Sequence, residues 1–181
     1  GLDLAVYNNT VASYNFNLYG ASLGVTAKTG TDGSDFLTAV ERLQFTDKNL
    51  AFDFNGAAGQ AFRLYQAAFN RKHDLQGLGY WMNAMDKGQS LQEVAASFVN
   101  SAEFQKMYGS NHSYSTFLNG IYQNILHRTP DQSGFDYWLK ELNAGKISTA
   151  GILANFSESP ENQTQVASLI KGGIEYLPWL S

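Results

Sequence analysis

The hydrophobic pattern of the chain changes near residue 56. In residues 1–55 apolar and polar side chains alternate, as in Tyr14-Asn15-Phe16-Asn17-Leu18, and turns rich in Gly, Asn and Asp separate the runs. Alternation of this kind predicts strands with one buried and one wet side, as in antiparallel sheet. We therefore expect a small antiparallel β unit of four or five short strands, which needs a packing partner to be stable.

From Gly56 onward apolar residues recur at three- and four-residue steps, which predicts amphipathic helices. The periodic runs lie near 61–69, 75–87, 91–99, 102–108, 115–126, 132–144, 149–155 and 160–170. Short oxygen-bearing side chains that suit the N-cap position precede six of them, namely Asp74, Ser90, Ser101, Asp131, Ser148 and Ser159. Gly88 and Gly145 are expected to end the helices that they follow. The predicted class is α+β, with helix in the majority.

The helical half contains an internal repeat. Residues 65–81 recur at 122–138, a constant offset of 57 residues, with Tyr, Gln, Arg, Asp, Gly, Tyr and Trp retained. Self-similarity at one spacing predicts a duplicated structural unit. The expected organisation is a β-rich segment at 1–55, helical units at 56–113 and 114–171, and a C-terminal tail at 172–181.

The retained residues all have structural explanations that need no ligand. Each unit offers one Arg and one Glu at matching positions, and we expect a salt bridge across the helices of each unit. Gly77 and Gly134, one turn inside a helix, predict close approach by a neighbouring helix. The structural candidates, covering ion pairs, N-caps and core tryptophans, are Arg71, Glu103, Arg128, Glu161, Asp74, Asp131, Trp81 and Trp138.

Composition and charge exclude several classes of function. Hydrophobic residues make up 44% of the chain, and the chain contains 25 aromatic residues. Such a composition is typical of a protein with a folded core. Charged residues make up 15%, against about 25% in average proteins, so the surface is polar but weakly charged. The net charge is −4 without a basic run, which argues against nucleic-acid partners. No stretch is long enough for a membrane span, and the absence of Cys excludes disulfides and thiol nucleophiles.

Two kinds of binding residue remain as candidates. Asp32, Asp35 and Asp47 lie in turn-forming loops and carry the oxygen ligands that calcium accepts, although turn chemistry alone also explains them. Tyr176 and Trp179 lie outside the repeat, where an exposed ring can stack on a sugar.

Catalytic chemistry has weaker signals. Gly20-Ala21-Ser22-Leu23-Gly24 matches the G-x-S-x-G motif of hydrolases, which requires a strand-to-helix junction. Here the motif lies among alternating strands, and we expect an ordinary turn. His73, His112 and His127 lack metal-binding spacing. The chain is therefore expected not to be an enzyme.

The skeleton Y-Q-x(4)-R-x(2)-D-x(2)-G-x(2)-Y-W, within residues 60–170, resembles a bacterial helical repeat family known only as a domain of unknown function. That family is distantly similar to phycobilisome linker domains. Residues 30–47 are similar to the segment that follows calcium-binding RTX repeats, which implies RTX domains upstream in the same polypeptide. The final ten residues resemble a C-terminus of the type that carries a type I secretion signal.

The resemblance implies a non-catalytic C-terminal module of a type I-secreted surface protein from a Gram-negative bacterium. Such a module would lie outside the cell and act in surface attachment, S-layer-like assembly or adhesion. Its expected partners are cell-surface polysaccharide or a second copy of itself, with calcium as the candidate ion. The alternatives are a carbohydrate-binding module that anchors a secreted protein and, less favoured by the sequence, a hydrolase that uses Ser22.

Overall fold

The computed structural model of the protein describes residues 1–30, 32–109 and 113–179. The predicted α+β class is confirmed, with β strands first and helices after them. The strands before the helices are β1 (Leu4–Val6), β2 (Tyr14–Tyr19), β3 (Ser22–Ala27), β4 (Ser34–Thr38), β5 (Arg42–Gln44) and β6 (Asn49–Ala51). These six exceed the expected four or five because strands of three residues are too short to show alternation.

The strands form two small sheets. β2, β3 and β4 make a three-stranded antiparallel sheet from consecutive hairpins. The second sheet has the order β1-β5-β6-β7, where β7 is Ile174–Tyr176 in the C-terminal tail. β1 pairs parallel to β5 and departs from the expected antiparallel arrangement, which the other strand pairs described here follow. The intervening chain through β2, β3 and β4 is long enough for the crossover that a parallel pair requires.

The four-stranded sheet is the middle layer of the molecule. On one face Leu43, Phe45 and Leu50 pack against residues of the three-stranded sheet, among them Tyr14 and Val25. On the other face of the sheet a second apolar cluster joins strand residues to helices, and it contains Ala51, Ile174, Tyr176, Ala58, Phe62, Leu78 and Met82. Strand β6 is buried on both faces, which explains why all of Asn49–Ala51 are buried without alternation.

The helices follow the predicted runs closely. They are α1 (Ala57–Phe69), α2 (Leu75–Asp86), α3 (Leu91–Val99), α4 (Ala102–Tyr108), α5 (Tyr114–Ile125), α6 (Gln132–Asn143), α7 (Thr149–Ser157) and α8 (Pro160–Ile170). All six predicted N-cap side chains accept a hydrogen bond from the backbone N–H three residues later. Gly88 and Gly145 have φ values of 99° and 66°, the left-handed conformation that ends a helix.

The two helical units share one core. The corresponding helices α3 and α7 make the most extensive contact between helices. Val94 and Phe98 of α3 and Ile152 and Phe156 of α7 belong to the same buried cluster. Neither unit therefore buries its apolar face alone, as expected for stacked repeats.

The described part of the tail is docked on the first helical unit. Leu177 N donates a hydrogen bond to Leu75 O, 2.9 Å away. A Cβ atom added at Gly79 on α2 would collide with Leu177 O. The corresponding residue of the second unit is Asp136, which is exposed. Gly79 is thus a local adaptation of the first unit that lets the tail lie directly against α2.

Replacing Gly79→Ala is expected to displace the tail from α2 and to lower the free energy of unfolding by about 1–3 kcal/mol, because a tightly packed contact is overfilled. Urea unfolding followed by tryptophan fluorescence measures the change. Gly172→Ala is the matched control, since Gly172 has open space around its Cβ position and an ordinary φ. Equal stability of the two variants would contradict the docking role of Gly79.

Candidate functional site

Both expected ion pairs are present, and each joins an Arg in a connection between helices to a Glu on a later helix. Arg71 Nε lies 2.6 Å from Glu103 Oε1, and Arg128 Nε lies 2.8 Å from Glu161 Oε1. The second amine of each Arg reaches the other carboxylate oxygen, so both pairs are bidentate. The side chains are 40–44% exposed, and solvent screening limits their contribution to stability. They orient the helices of each unit more than they stabilise them.

In the first unit the ion pair continues into a chain of hydrogen bonds through Arg71, Tyr65 and Asp74, here called the relay. Arg71 Nη2 donates to Tyr65 Oη at 2.9 Å, and Tyr65 Oη donates to Asp74 Oδ2 at 2.7 Å. The hydrogen bond from Tyr65 is the main cause that lowers the pKa of Asp74. The hydrogen bonds from Arg71 lower the pKa of Glu103. The relay therefore favours two ionised carboxylates around one guanidinium.

The second unit lacks that relay. Arg128 lies over the ring of Tyr122, as Arg71 lies over Tyr65. Within the described part of the chain, however, the Tyr122 hydroxyl makes no hydrogen bond to Asp131. Arg128 instead approaches Asp131 directly, with 3.6 Å between Nη1 and Oδ2. The units share a skeleton but not the full polar network.

The tryptophans and glycines of the repeat have mainly packing roles. Trp81 and Trp138 are partly buried against the shared helical core. The expectation that a neighbouring helix approaches Gly77 is wrong, because the three atoms nearest to an added Cβ all belong to the cap carboxylate of Asp74. At Gly134 the nearest atom is the Tyr122 hydroxyl oxygen, at 2.8 Å.

Asp32, the first calcium candidate, is engaged with nearby side chains. Its Oδ2 accepts hydrogen bonds from Tyr14 Oη at 2.6 Å and from Asn9 Nδ2 at 3.0 Å. These bonds, that from Tyr14 first, lower the pKa of Asp32. The carboxylate thereby ties the β3–β4 connection to the segment before β2.

Asp35 and Asp47 also make hydrogen bonds to the segment at residues 7–14. Asp35 Oδ2 accepts from Tyr7 Oη at 3.0 Å, and Asp47 Oδ1 accepts from Val11 N at 2.9 Å. Burial, with the bond to Asp35, raises the pKa of Tyr7. In residues 1–30, 32–109 and 113–179 no three His, Asp or Glu side chains form a group that could hold a metal ion. The three aspartates fasten residues 7–14 to the sheets.

The G-x-S-x-G residues form a β hairpin. Gly20 has a φ of 65° in the turn, and Ser22 begins β3 with its Oγ 3.2 Å from Thr38 Oγ1. The strand-to-helix junction of a nucleophile elbow is not formed at Ser22. His73 Nε2 lies 3.0 Å from Glu175 O, and His112 lies outside the described residues.

Of the two sugar-stacking candidates, Tyr176 is buried. Its ring is 7% exposed because alternation along β7 turns it toward α1 and α2. Its hydroxyl lies 3.4 Å from Asn49 Nδ2, and the guanidinium of Arg42 lies over the ring. The expected exposure of Tyr176 is therefore wrong, and its ring is not accessible to a sugar.

Trp179 borders a surface groove. The groove has a volume of about 420 Å³ and lies between the β5–β6 turn, the start of α2 and the tail. Trp179 is 39% exposed and packs edge-to-face on Tyr80, itself 40% exposed, with 4.9 Å between ring centroids. The Trp179 groove is lined by Gln44, Phe45, Thr46, Asp47, Lys48, Asn49, Gln76, Leu177, Pro178 and Trp179.

The polar groups of the Trp179 groove are mostly uncharged or neutralised. Lys48 Nζ is paired with Glu175 Oε1 at 2.8 Å. Gln44, Thr46 and Gln76 add amide and hydroxyl groups, which both donate and accept hydrogen bonds. An exposed apolar ring beside such groups can bind a ligand that carries C–H faces and hydroxyls.

Sequence analysis missed most of this groove. Gln76 lines the groove and Tyr80 packs on Trp179 at its border. Both lie in the repeat, and Tyr80 matches Tyr137 in the second unit, so nothing in the sequence marks it as different. The available signal was Gly79, which stands where the second unit has Asp136. That difference indicates that something packs on α2 of the first unit alone.

The fold is thus a duplicated helical domain joined to a two-sheet β unit. The family described as "Domain of unknown function (DUF4214)" matches residues 61–103 and 95–166, which together extend over more than half of the chain. The chain belongs to this family. No curated protein matches the chain. Within the described residues, none of the helices has the length and apolar character required to cross a membrane.

Replacing Tyr65→Phe is expected to cost about 1 kcal/mol of stability at neutral pH, because the relay to Asp74 loses a hydrogen bond. Asp74 has a lowered pKa in the folded state, so its contribution is present above its unfolded pKa and is lost as pH falls through the folded value. The stability difference between wild type and Tyr65→Phe should therefore shrink below about pH 4.

Urea unfolding at neutral and acidic pH measures this difference. Tyr122→Phe is the matched control, since its hydroxyl makes no such bond to Asp131 among the described residues, and it should show a smaller and less pH-dependent change. The same pH dependence in both variants would contradict the assignment of the relay to the first unit.

Proposed function

We propose that the chain is a non-catalytic attachment module of a secreted bacterial surface protein and that it binds cell-surface polysaccharide through the Trp179 groove. The observation that carries the proposal is the exposed ring of Trp179, which packs on Tyr80 and lines the same groove as the amides of Gln44 and Gln76. In this proposal the module follows RTX domains of a type I-secreted Gram-negative protein, as the resemblance of residues 30–47 implies.

Recognition would use the apolar face of a sugar ring against the indole of Trp179. Hydroxyl groups of the sugar would exchange hydrogen bonds with Gln44, Thr46 and Gln76. The tail that carries Trp179 is held by β7 and by the close contact at Gly79, so the ring is positioned before a ligand binds. The weak net charge of the chain suits a neutral polymer better than a polyanion.

Trp179→Ala and Tyr80→Ala are each expected to weaken polysaccharide binding by about tenfold, because the stacking platform is lost. The measurement is binding of the full chain to neutral capsular and O-antigen polysaccharides purified from Gram-negative bacteria. Tyr137→Ala is the matched control: Tyr137 occupies the position of Tyr80 in the second unit and is 55% exposed, whereas the described residues of the tail dock on the first unit. Unchanged binding in the Trp179 variant would overturn the proposal.

A second candidate function is self-assembly through the edge strand β1. β1 is the terminal strand of its sheet, and Leu2, Leu4 and Val6 are 48%, 51% and 62% exposed. An apolar, exposed edge strand is a template for pairing with another chain.

If β1 mediates assembly, light scattering over a range of protein concentrations should show association of the wild type. The double variant Leu4→Lys, Val6→Lys should remain monomeric, because charge on an edge strand opposes pairing. Met107→Lys changes an exposed apolar residue elsewhere, on α4, and should leave association intact. A wild type that stays monomeric at all concentrations would exclude this function.

A further inference from the structure

A second cavity lies where the two-sheet β unit meets the helices. Its volume is about 620 Å³, within the roughly 300–1,000 Å³ typical of small-molecule sites. It is bordered by the three-stranded sheet, by α1 and by the connection from α8 to β7. Its apolar walls include Phe16, Leu50, Phe62, Ile170 and Ile174. A junction between two structural units is a common place for ligand binding.

The polar side chains of this cavity come from α1, which supplies Gln66, from β7, which supplies Glu175, and from the α1–α2 connection. Lys72 and His73 both line it. Across residues 1–30, 32–109 and 113–179 the Lys72 ammonium has no hydrogen bond or ion pair, whereas the lining carboxylate Glu175 is already paired with Lys48. The cavity therefore combines apolar walls with one unneutralised positive charge.

The surroundings of His73 favour its neutral form. Burial is the main cause that lowers its pKa, and the positive charge of Lys72 acts in the same direction. Its Nε2 lies 3.0 Å from Glu175 O, a carbonyl that can only accept, so Nε2 carries the proton. Lys72 is thus the cationic group of the cavity wall.

Comparison of the two helical units shows that Lys72 and His73 are not among the residues that the repeat retains. Arg71 and Asp74 recur in the second unit as Arg128 and Asp131, but Lys72-His73 is replaced there by Thr129-Pro130. The helical fold therefore does not require Lys72 and His73. They occur in the unit that borders this cavity.

We propose that this cavity binds an aliphatic carboxylate of the fatty-acid class, with its chain against the apolar walls and its carboxylate at Lys72. A sugar or a free phosphate would make few apolar contacts with the cavity walls. A neutral hydrocarbon would make those contacts but would form no ion pair with Lys72. Leu169, 61% exposed at the border of the cavity, extends the apolar surface outward. The site is separate from the Trp179 groove and does not depend on polysaccharide binding.

Isothermal titration of the full chain with dodecanoate tests the proposal, with dodecan-1-ol as the uncharged ligand of equal chain length. Wild type should bind dodecanoate at one site. Lys72→Gln should weaken dodecanoate binding by about fivefold, as expected for a partly exposed charge pair, and leave dodecan-1-ol binding unchanged. Lys106→Gln, on the exposed surface of α4, is the matched control and should bind both ligands as wild type does.

Gly172→Phe tests the location. An added side chain at Gly172 meets open space and an ordinary backbone, so the variant should fold, and Gly172 lines the cavity. The Phe ring should reduce binding of both ligands, whereas Trp179→Ala should affect neither. No dodecanoate binding to wild type, or equal binding to wild type, Lys72→Gln and Gly172→Phe, would overturn the proposal. An equal loss of acid and alcohol in Lys72→Gln would overturn carboxylate recognition.

Discussion

The arrangement of the molecule depends on the ion pairs that the guanidinium of Arg42 makes with two carboxylates. Arg42 is 4% exposed and lies in β5, at the centre of the junction between sheets and helices. Its Nε and Nη2 bind Asp53 at 2.8 and 2.9 Å, and its Nη2 reaches Asp86, at the end of α2, at 3.4 Å. Burial opposes its charge, but the two carboxylates outweigh burial and raise the pKa of Arg42. Leaving such a charge without partners would cost about 3–5 kcal/mol.

Arg42 therefore determines how the β unit sits on the first helical unit. Asp53 Oδ2 also accepts from Ala58 N at 2.9 Å, so the carboxylate that binds Arg42 also satisfies the start of α1. The ring of Tyr176 lies against the same guanidinium, and this contact includes the tail strand β7 in the junction. Both proposed binding sites border this junction, the Trp179 groove beside β5 and the second cavity beside α1.

The two helical units are similar where they carry the fold and different where they meet other parts of the chain. N-caps, Arg–Glu pairs and core tryptophans recur in both units. The first unit alone has Gly79 under the tail and Lys72-His73 at the second cavity. Arg63 on α1 adds another asymmetric contact, a partly buried bidentate pair with Glu158 after α7 at 2.6 and 2.7 Å. The duplicated residues form the common helical fold. Both proposed binding sites lie where the sequence of the first unit differs from that of the second.

The sequence by itself determined the helices, their caps, the duplication and the partners in the Arg71–Glu103 pair. Those features depend on residues within one turn or at matching positions of a repeat, so a local pattern contains them. Only the tertiary structure decided the parallel pairing of β1 with β5, the burial of Tyr176 and the three-residue contact around Arg42. Each of these joins segments far apart in the chain, and strands of three residues carry too little pattern to identify their partners. The exposure of Trp179 beside Tyr80 is of the same kind, because it depends on where the tail docks.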